Sequence, residues 1–486
     1  FHLNHYARQL DVHEALLEAR RYLQSEKHLT YPSAYLVPSL FRHPDGELLA
    51  IAPQDWKSKL QRWLPGRRQA AAIASVAVLS LIPGVQKSLL GGRLLTQAVY
   101  RQVTQQLPAA QLPPVVLVQI DNESVRKSPL LGQPNPINRQ YLGDLLAALV
   151  ELDAQVIGID YLLDRQQPED AYLTARLQTA VDQSAPWLIF GSIWQEGQEV
   201  GVNTEIAGPS WSLQGYAEAI KWHLVLPWEP GSCADSCPFT YLMALAQLYH
   251  QTTEPAQQIQ PARQRQEDLK TDLLEAIAAQ PENESLQALY HLQYSRLALL
   301  SYWLYQPWFQ PIVDFSIPPD RVFTPISAYE VLASPQQVAA RIEGEQQVVL
   351  VGAGGYGSAG GDDWSDVSAV PLAIAYWRQQ FPDWAGSKYF TGSEGNAYMV
   401  HHLRRNHWVI PIPDLGIIGL AAIAGAGIAQ VWPPHRWGLL ALATATAGYS
   451  LVCLQLFVTA NLVWPWLLPS ITVWIYLLPN LRKRYD

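Results

Sequence analysis

The side chains best placed to do chemistry stand just past apolar runs. Asp121 closes PVVLVQID, with Ser124 three positions on, and Asp160 closes QVIGID. Asp362, Asp363 and Asp366 lie in a glycine-rich loop after QQVVLVGAG. Such runs read as buried strands, and open α/β sheets gather ligands beyond the carboxyl ends of their strands. Together these acids could offer several oxygens to a hard divalent cation. The plainer reading is that they cap helices and form turns, so no metal is assigned. Arg139 opens a helix and either pairs with Asp121 or Asp160 as structural glue or meets an anionic ligand.

Other chemistries fail on spacing. Gly352, Gly354 and Gly357 match a dinucleotide fingerprint after a strand. The loop then runs into Gly360, Gly361 and Asp362 instead of opening a helix, and its acids would repel a pyrophosphate. No cofactor is expected. There is no Gly-x-Ser-x-Gly elbow and no convergent nucleophile and base, so no catalytic residue is assigned. His401, His402 and His407 adjoin Arg404 and Arg405. They read as a solvated helix end, with a pH-responsive cluster as the alternative. Cys233 and Cys237, in GSCADSC, are expected to form a local disulfide in an oxidising compartment. A metal there would need two further soft ligands, and none is close. Cys453 sits in an apolar run as a small buried residue.

The composition narrows the class. The chain has 486 residues, a net charge of −9 and only 15% charged residues, with 49% hydrophobic, 18 Trp and 23 Tyr. That excludes a disordered chain, a collagen and a disulfide-rich mini-protein, and a general nucleic-acid binder would be basic. Mean hydropathy near zero with so few charges averages a soluble part with a membrane part.

Uncharged stretches place the membrane part. Residues 415–432 and 437–480 carry no charge; the second run fits two spans, 437–459 and 462–480, turning near Asn461 and Pro465. Trp464, Trp466 and Trp474 suit an interfacial aromatic belt. A further span is expected over 69–86. Lys57, Lys59, Arg62, Arg67 and Arg68 precede it, and Arg482, Lys483 and Arg484 follow the last span. Both termini are therefore expected in the cytoplasm, with residues 88–412 outside it. Arg404 and Arg405 stand against that orientation, but long translocated domains largely escape the rule.

The exported part alternates strands and helices: strands at 114–121, 155–163 and 187–193, helices at 139–153 and 170–183, and a later strand at 346–354. Short loops between them imply right-handed crossovers and a parallel sheet. Residues 238–305 read instead as a helical insertion, with helices at 239–251, 261–279 and 284–305. It ends in Tyr302, Trp303, Tyr305, Trp308 and Phe309. These aromatics are expected to pack on the sheet; the alternative is an amphipathic element on the membrane or on a partner. Residues 1–65 hold one helix, 11–22, and a hairpin turning at Pro44, Asp45 and Gly46. That is too little to bury a core alone, so this segment reads as the end of a larger domain.

Several exported segments, in this order, resemble the CHASE2 domain, an extracytoplasmic sensor module of bacterial receptors. They are VQIDNES with Asp121 and Ser124, PNPINRQYLGDLLAAL with Arg139, IGIDYLLD with Asp160 and Asp164, PISAYEVL with Ser327, VVLVGAGGYGSAGGDDWSD with Asp362, and GSEGNAYMVHHLRRNHWV. The family layout is one span, the sensor, then three spans, and the resemblance covers residues 69–480. The loop before Arg139 reads Pro-Asn-Pro where the family often has Trp-Pro, and an Asp-Gly-x-x-Arg element is not recognisable. The segments LDVHEALLEARRYL and YPSAYLVPSLFRHPDGELLAI resemble the end of a CHAT domain, a caspase-like relative, through Ala15, Ala19, Arg20 and the Pro-Asp-Gly turn. That resemblance puts any catalytic His and Cys upstream of this sequence.

The expected fold class is α/β: a mostly parallel sheet with flanking helices and a helical insertion, plus four transmembrane helices. The resemblance implies a membrane-anchored sensor that signals to a cytoplasmic N-terminal output. The rival is an assembly subunit docking a partner through its exported domain. The expected partners are the lipid bilayer, a small-molecule or protein signal, and a second copy of the chain; nucleic acid is not expected. The candidate ligand-binding residues are Asp121, Ser124, Arg139, Asp160, Ser327 and Asp362, with Cys233 and Cys237 as the disulfide.

Overall fold

The computed structural model describes residues 63–482, apart from 110, 133, 218–221, 229–232, 234–235, 357–366, 382–388 and 432–436. Of the earlier residues it describes 17, 20–22, 24 and 25, all helical. The rest of the expected 11–22 helix, the hairpin after it and Asp362 lie outside the described residues. The chain divides into two compact units, Ser80–Pro413 with Ala447–Trp466, and Phe1–Leu79 with Asp414–Thr446 and Leu467–Asp486.

The larger unit is built on one seven-stranded sheet. Its strands are β1 (Val115–Ile120), β2 (Val156–Ile159), β3 (Trp187–Gln195), β4 (Gln198–Val200), β5 (Ser212–Tyr216), β6 (Phe323–Ser327) and β7 (Val348–Ala353). The spatial order runs β6, β1, β7, β2, β3, all parallel; β5 adds in parallel to β3, and β4 folds back antiparallel on its end. The last strand in sequence thus enters the middle of the sheet. Its apolar run VVLVGA is buried throughout, as a central parallel strand requires.

The alternating residues of β1 feed both faces. Val115 and Leu117 join one core with Phe239, Met243, Leu350 and Tyr398. Val116, Val118 and Ile120 join the other with Leu142, Leu145, Leu149, Leu173 and Leu177. The second core is covered by the helices Arg139–Glu151 and Asp170–Ser184, as their apolar spacing predicts. Each fully buried Val, Leu or Ile contributes roughly 1.5–3 kcal/mol relative to exposure.

The first core is covered by Phe239–Thr252 and Gly392–Arg405, both buried over most of their length. The first helix of the expected insertion is therefore a structural layer of the sheet. Two glycines permit it. A Cβ on Gly158 would meet Met243 Sδ at 2.1 Å, and one on Gly215 would meet Phe239 Cα at 2.8 Å. The Cys233–Cys237 disulfide is formed beside that contact, where Tyr216 N donates to Cys237 O (2.9 Å). Beyond it lie Leu269–Ala278, Glu284–Tyr290 and Arg296–Trp303. The aromatics that end the insertion do not pack on the sheet: Tyr302, Trp303 and Tyr305 are exposed.

The smaller unit is helical and apolar. Asp414–Val431 packs on Leu467–Arg482, with Gly425 close enough that a Cβ would meet Tyr476 Cδ2 at 2.9 Å. Arg67–Leu79 joins them, Gln69 Nε2 donating to Ile475 O (3.4 Å). Small residues of this kind let apolar helices approach closely.

The expected count of four spans is not supported. Among the described residues only Gly438–Ala460 is by itself long and apolar enough to cross a bilayer. Arg67–Leu79 meets that standard only jointly with Pro83–Val103, across a bend. Its 13 residues reach about 20 Å, short of a hydrocarbon core of about 30 Å. The expected span 69–86 is broken because Pro83 opens a new helix at its first position. Asp414–Gln430 and Leu467–Pro479 are apolar but also short.

Candidate functional site at the sheet edge

β1, β2, β6 and β7 end side by side, bringing most of the candidate residues to one edge. Asp121 caps the helix Asn122–Lys127. Its Oδ1 accepts from Ser124 N (2.8 Å), Ser124 Oγ (2.8 Å) and Ser327 Oγ (3.0 Å). Ser124 Oγ also accepts from Tyr329 N (3.1 Å), so the group ties β1 to β6 and to the helix Ala328–Ala333. Burial pushes the nearby Tyr141 phenol up to about 12. Asp121, Ser124 and Ser327 are thus united, in a closed capping network.

Asp160 stands at the end of β2, its N–H donating to Val351 O (2.8 Å). Its Oδ2 accepts from Asn396 Nδ2 (3.0 Å), and burial outweighs that bond to lift its pKa to about 6. Asn396 belongs to the helix Gly392–Arg405, whose start is fixed by a Thr391–Glu394 capping box and by Arg378 Nη2 on Glu394 Oε1 (2.6 Å). Ser393 Oγ donates to Ala353 O (2.9 Å), and its Cβ lies 2.5 Å from where a Cβ on Gly352 would sit. A Cβ on Gly354 would meet Asp121 Cα at 2.7 Å. These two glycines serve close packing of protein on protein, which leaves no room there for a cradled phosphate.

Arg139 does not join this edge. Its buried guanidinium donates to Asp170 Oδ1 (2.9 Å) and Arg165 O (3.1 Å), locking together the two helices on that face. Its expected pairing with Asp121 or Asp160 is replaced by this pair with Asp170, at the start of the next helix. Asp362 lies outside the described residues. Among those described, no group of three His, Cys, Asp or Glu could hold a metal ion.

Sequence reasoning missed two features. One is an open cavity of about 290 Å³ lined by Lys87, Gly91, Trp222, Phe315, Val370 and Phe390 among others. Its walls come from distant segments and leave no local motif. The other is a buried charge network. Arg101 Nη2 lies 3.1 Å from Asp314 Oδ2, which also meets His407 Nε2 (3.1 Å), while Ser316 N and Oγ donate to Asp314 Oδ1. Asp314 N donates to His402 Nε2 (2.9 Å), so His402 carries its proton on Nδ1, facing Tyr398 O (2.6 Å). Burial first, then the neighbouring His407, lowers His402 to about 3, and burial lowers His401 well below its ordinary value. The histidines are therefore not a solvated helix end: His401 and His402 are buried, because the helix carrying them is a core layer.

A doubly wound α/β domain with polar side chains gathered at the carboxyl edge of its strands, and with apolar helices before and after it in the chain, is the build of a recognition domain. The CHASE2 domain matches residues 72–430, and the chain belongs to that family of extracytoplasmic sensor domains. No curated protein and no solved structure matches the chain.

Proposed function

We propose that the chain is a membrane-anchored extracytoplasmic sensor that passes its signal to a cytoplasmic N-terminal output unit. The observation that carries this reading is the extent of the family match. It begins inside the apolar helix Arg67–Leu79 and ends inside Asp414–Val431, so the sheet domain is bracketed by apolar helices. In this reading the helices at 67–79, 414–431, 438–460 and 467–482 associate with the bilayer, residues 88–412 lie outside the cytoplasm, and both termini lie inside it. The output unit is the segment 1–65, read as the end of a CHAT domain. No catalysis is assigned to these 486 residues. The signal is a small molecule or a protein; the cavity beside Lys87 is open to a small molecule, and the Asp160 edge offers it a single carboxylate.

The test is thermal unfolding of the full chain in lipid nanodiscs against a library of small molecules and divalent cations. A saturable upward shift that is lost in Asp160→Asn or Lys87→Ala supports a sensor and says which site binds. A second reading, a docking subunit of a membrane complex, is favoured by the exposed aromatic cluster at 302–305. The absence of any shift, with a protein retained through that cluster, would favour it instead.

A further inference from the structure

The helix Arg296–Trp303 is inverted. Its buried positions are Ala298 and Ser301, whereas Leu297, Leu300, Tyr302 and Trp303 face outward. Leu304 and Tyr305 continue the patch, with Trp303 at 78% and Tyr305 at 87% exposure. Trp228 adds to it, edge-on to Tyr302 with ring centres 5.0 Å apart. Tyr305 and Phe309 hold left-handed backbone, at φ 54° and 56°, where an aromatic side chain is unfavourable and glycine is usual. A continuous apolar surface of this kind marks a site of contact.

What it contacts follows from its neighbours. Gln306, the next residue, donates from Nε2 to Leu81 O (3.3 Å) and accepts at Oε1 from Gln86 (2.5 Å), which also donates to Ser80 O (2.6 Å). Residues 80–81 are where the chain leaves its first apolar helix. Phe309 N donates to Pro411 O (3.1 Å) and Ile312 N to Val409 O (2.8 Å), just before the apolar helix that starts at Asp414. Residues 410–411 pair in turn with 462–463, the turn between the last two apolar helices. The stretches 80–81, 409–411 and 462–463, which adjoin three apolar helices in the chain, are therefore linked by hydrogen bonds to the patch or to one another. Residues 285–313 also contain no Asp or Glu, in a chain with 42 of them.

We infer that this patch, centred on Leu300, Trp303, Leu304 and Tyr305, inserts into the interfacial layer of the bilayer's outer leaflet. The inference rests on the membrane-anchored reading above. Tryptophan and tyrosine favour the headgroup level, where the ring is apolar and the polar tip stays wet. The missing acids remove the repulsion an anionic lipid surface would exert, and Arg296 adds attraction. Inserted, the patch fixes the sensor's height and tilt above the membrane.

The test places a nitroxide label at Trp303→Cys in the full chain carrying Cys453→Ala, reconstituted in vesicles of phosphatidylethanolamine and phosphatidylglycerol. Collision with oxygen and with a water-soluble nickel chelate is then measured. Labels at Leu451→Cys, outward-facing on the 438–460 helix, and at Trp194→Cys, on the β3–β4 hairpin, report lipid and water. The expected oxygen-to-nickel ratio at residue 303 is several-fold above that at 194 and approaches that at 451. A water-like ratio at 303 with a lipid-like ratio at 451 overturns this inference alone. Water-like ratios at both overturn the membrane reading and this inference with it. A label at 303 that is immobile and shielded from both agents means that protein covers the patch, which also overturns it. Tyr305→Cys repeats the measurement should the first variant fail to fold.

Discussion

Arg101 and Asp314 form a 3.1 Å ion pair in which the two side chains keep only 4% and 0% of their exposure. Burial alone would raise the Asp314 carboxyl, but Arg101, His407 and Ser316 outweigh it and hold it well below the usual carboxylate range. Removing one partner of such a pair leaves the other charge stranded and costs about 3–5 kcal/mol, whereas replacing both with apolar residues is far milder. Asp314→Asn is therefore expected to lower the denaturation midpoint of the full chain strongly, with the double variant Arg101→Met, Asp314→Leu recovering much of the loss. Equal loss in both would deny the pair its role. The folded pKa being depressed, this contribution is present above the unfolded value near 4 and fades as pH falls below it.

Asp160 titrates with the opposite sign. Its folded pKa is raised to about 6, so the folded state holds a proton that the unfolded chain has released. Stability is expected to decline as pH rises from about 4 to 6, by up to about 3 kcal/mol for a shift of roughly two units. Asp160→Asn removes that slope and is more stable than the parent at pH 7. Thermal midpoints of both proteins across this range decide it, and parallel curves would refute the assignment.

His402, with His401 beside it, acts at the acid side. It is neutral when folded, with a pKa of about 3, and accepts from the Asp314 amide. Protonation removes that acceptor, so unfolding is favoured progressively below the unfolded value near 6.5. His402→Gln supplies a carbonyl oxygen without a titrating ring. It is expected to flatten the loss of stability between about pH 6 and 4, at the expense of a modest packing penalty. An unchanged acid slope would remove His402 from the account.

Much of the fold was legible because period and punctuation agreed. The unbroken apolar runs of β1, β2 and β7 and the spaced leucines of 139–151 announce a parallel sheet and its cover. β6 stayed hidden because Pro325 sits inside it, which is tolerated only since β6 is an edge strand. β5 stayed hidden because Ser212 and Gln214 break its apolar pattern. At the sheet edge, the apolar runs place Asp121 and Asp160 just past their strand ends, where they stand, but no local signal tells which distant side chain each acid meets. Ser327 reaches Asp121 through the register of the sheet, and Asn396 reaches Asp160 from the helix packed over it. Arg139 was misassigned for the same reason: its partner Asp170 lies 31 residues away, on a neighbouring helix. The charge-free spans were read by length in residues, and Pro83 divides the first where composition alone would run on.

The glycines at this edge provide a test of whether it is packed or open. A Cβ on Gly354 meets backbone, Asp121 Cα at 2.7 Å and Ile120 O at 2.9 Å, and neither atom can move without shifting β1. A Cβ on Gly158 comes closer still, 2.1 Å from Met243 Sδ, but that atom belongs to a flexible, unbranched side chain that can swing away. Distance alone ranks Gly158 as the more sensitive; mobility of the neighbour reverses the order. Gly354→Ala is expected to cost about 1–3 kcal/mol and to perturb the Asp121, Ser124 and Ser327 network, while Gly158→Ala costs less. Denaturation of the two full-length variants, read with the hydrogen-exchange rate of the Ser124 amide, checks both halves. If Gly354→Ala were the better tolerated, the strand ends would have slack, and the sheet edge would be an open site able to admit a ligand beside Asp121.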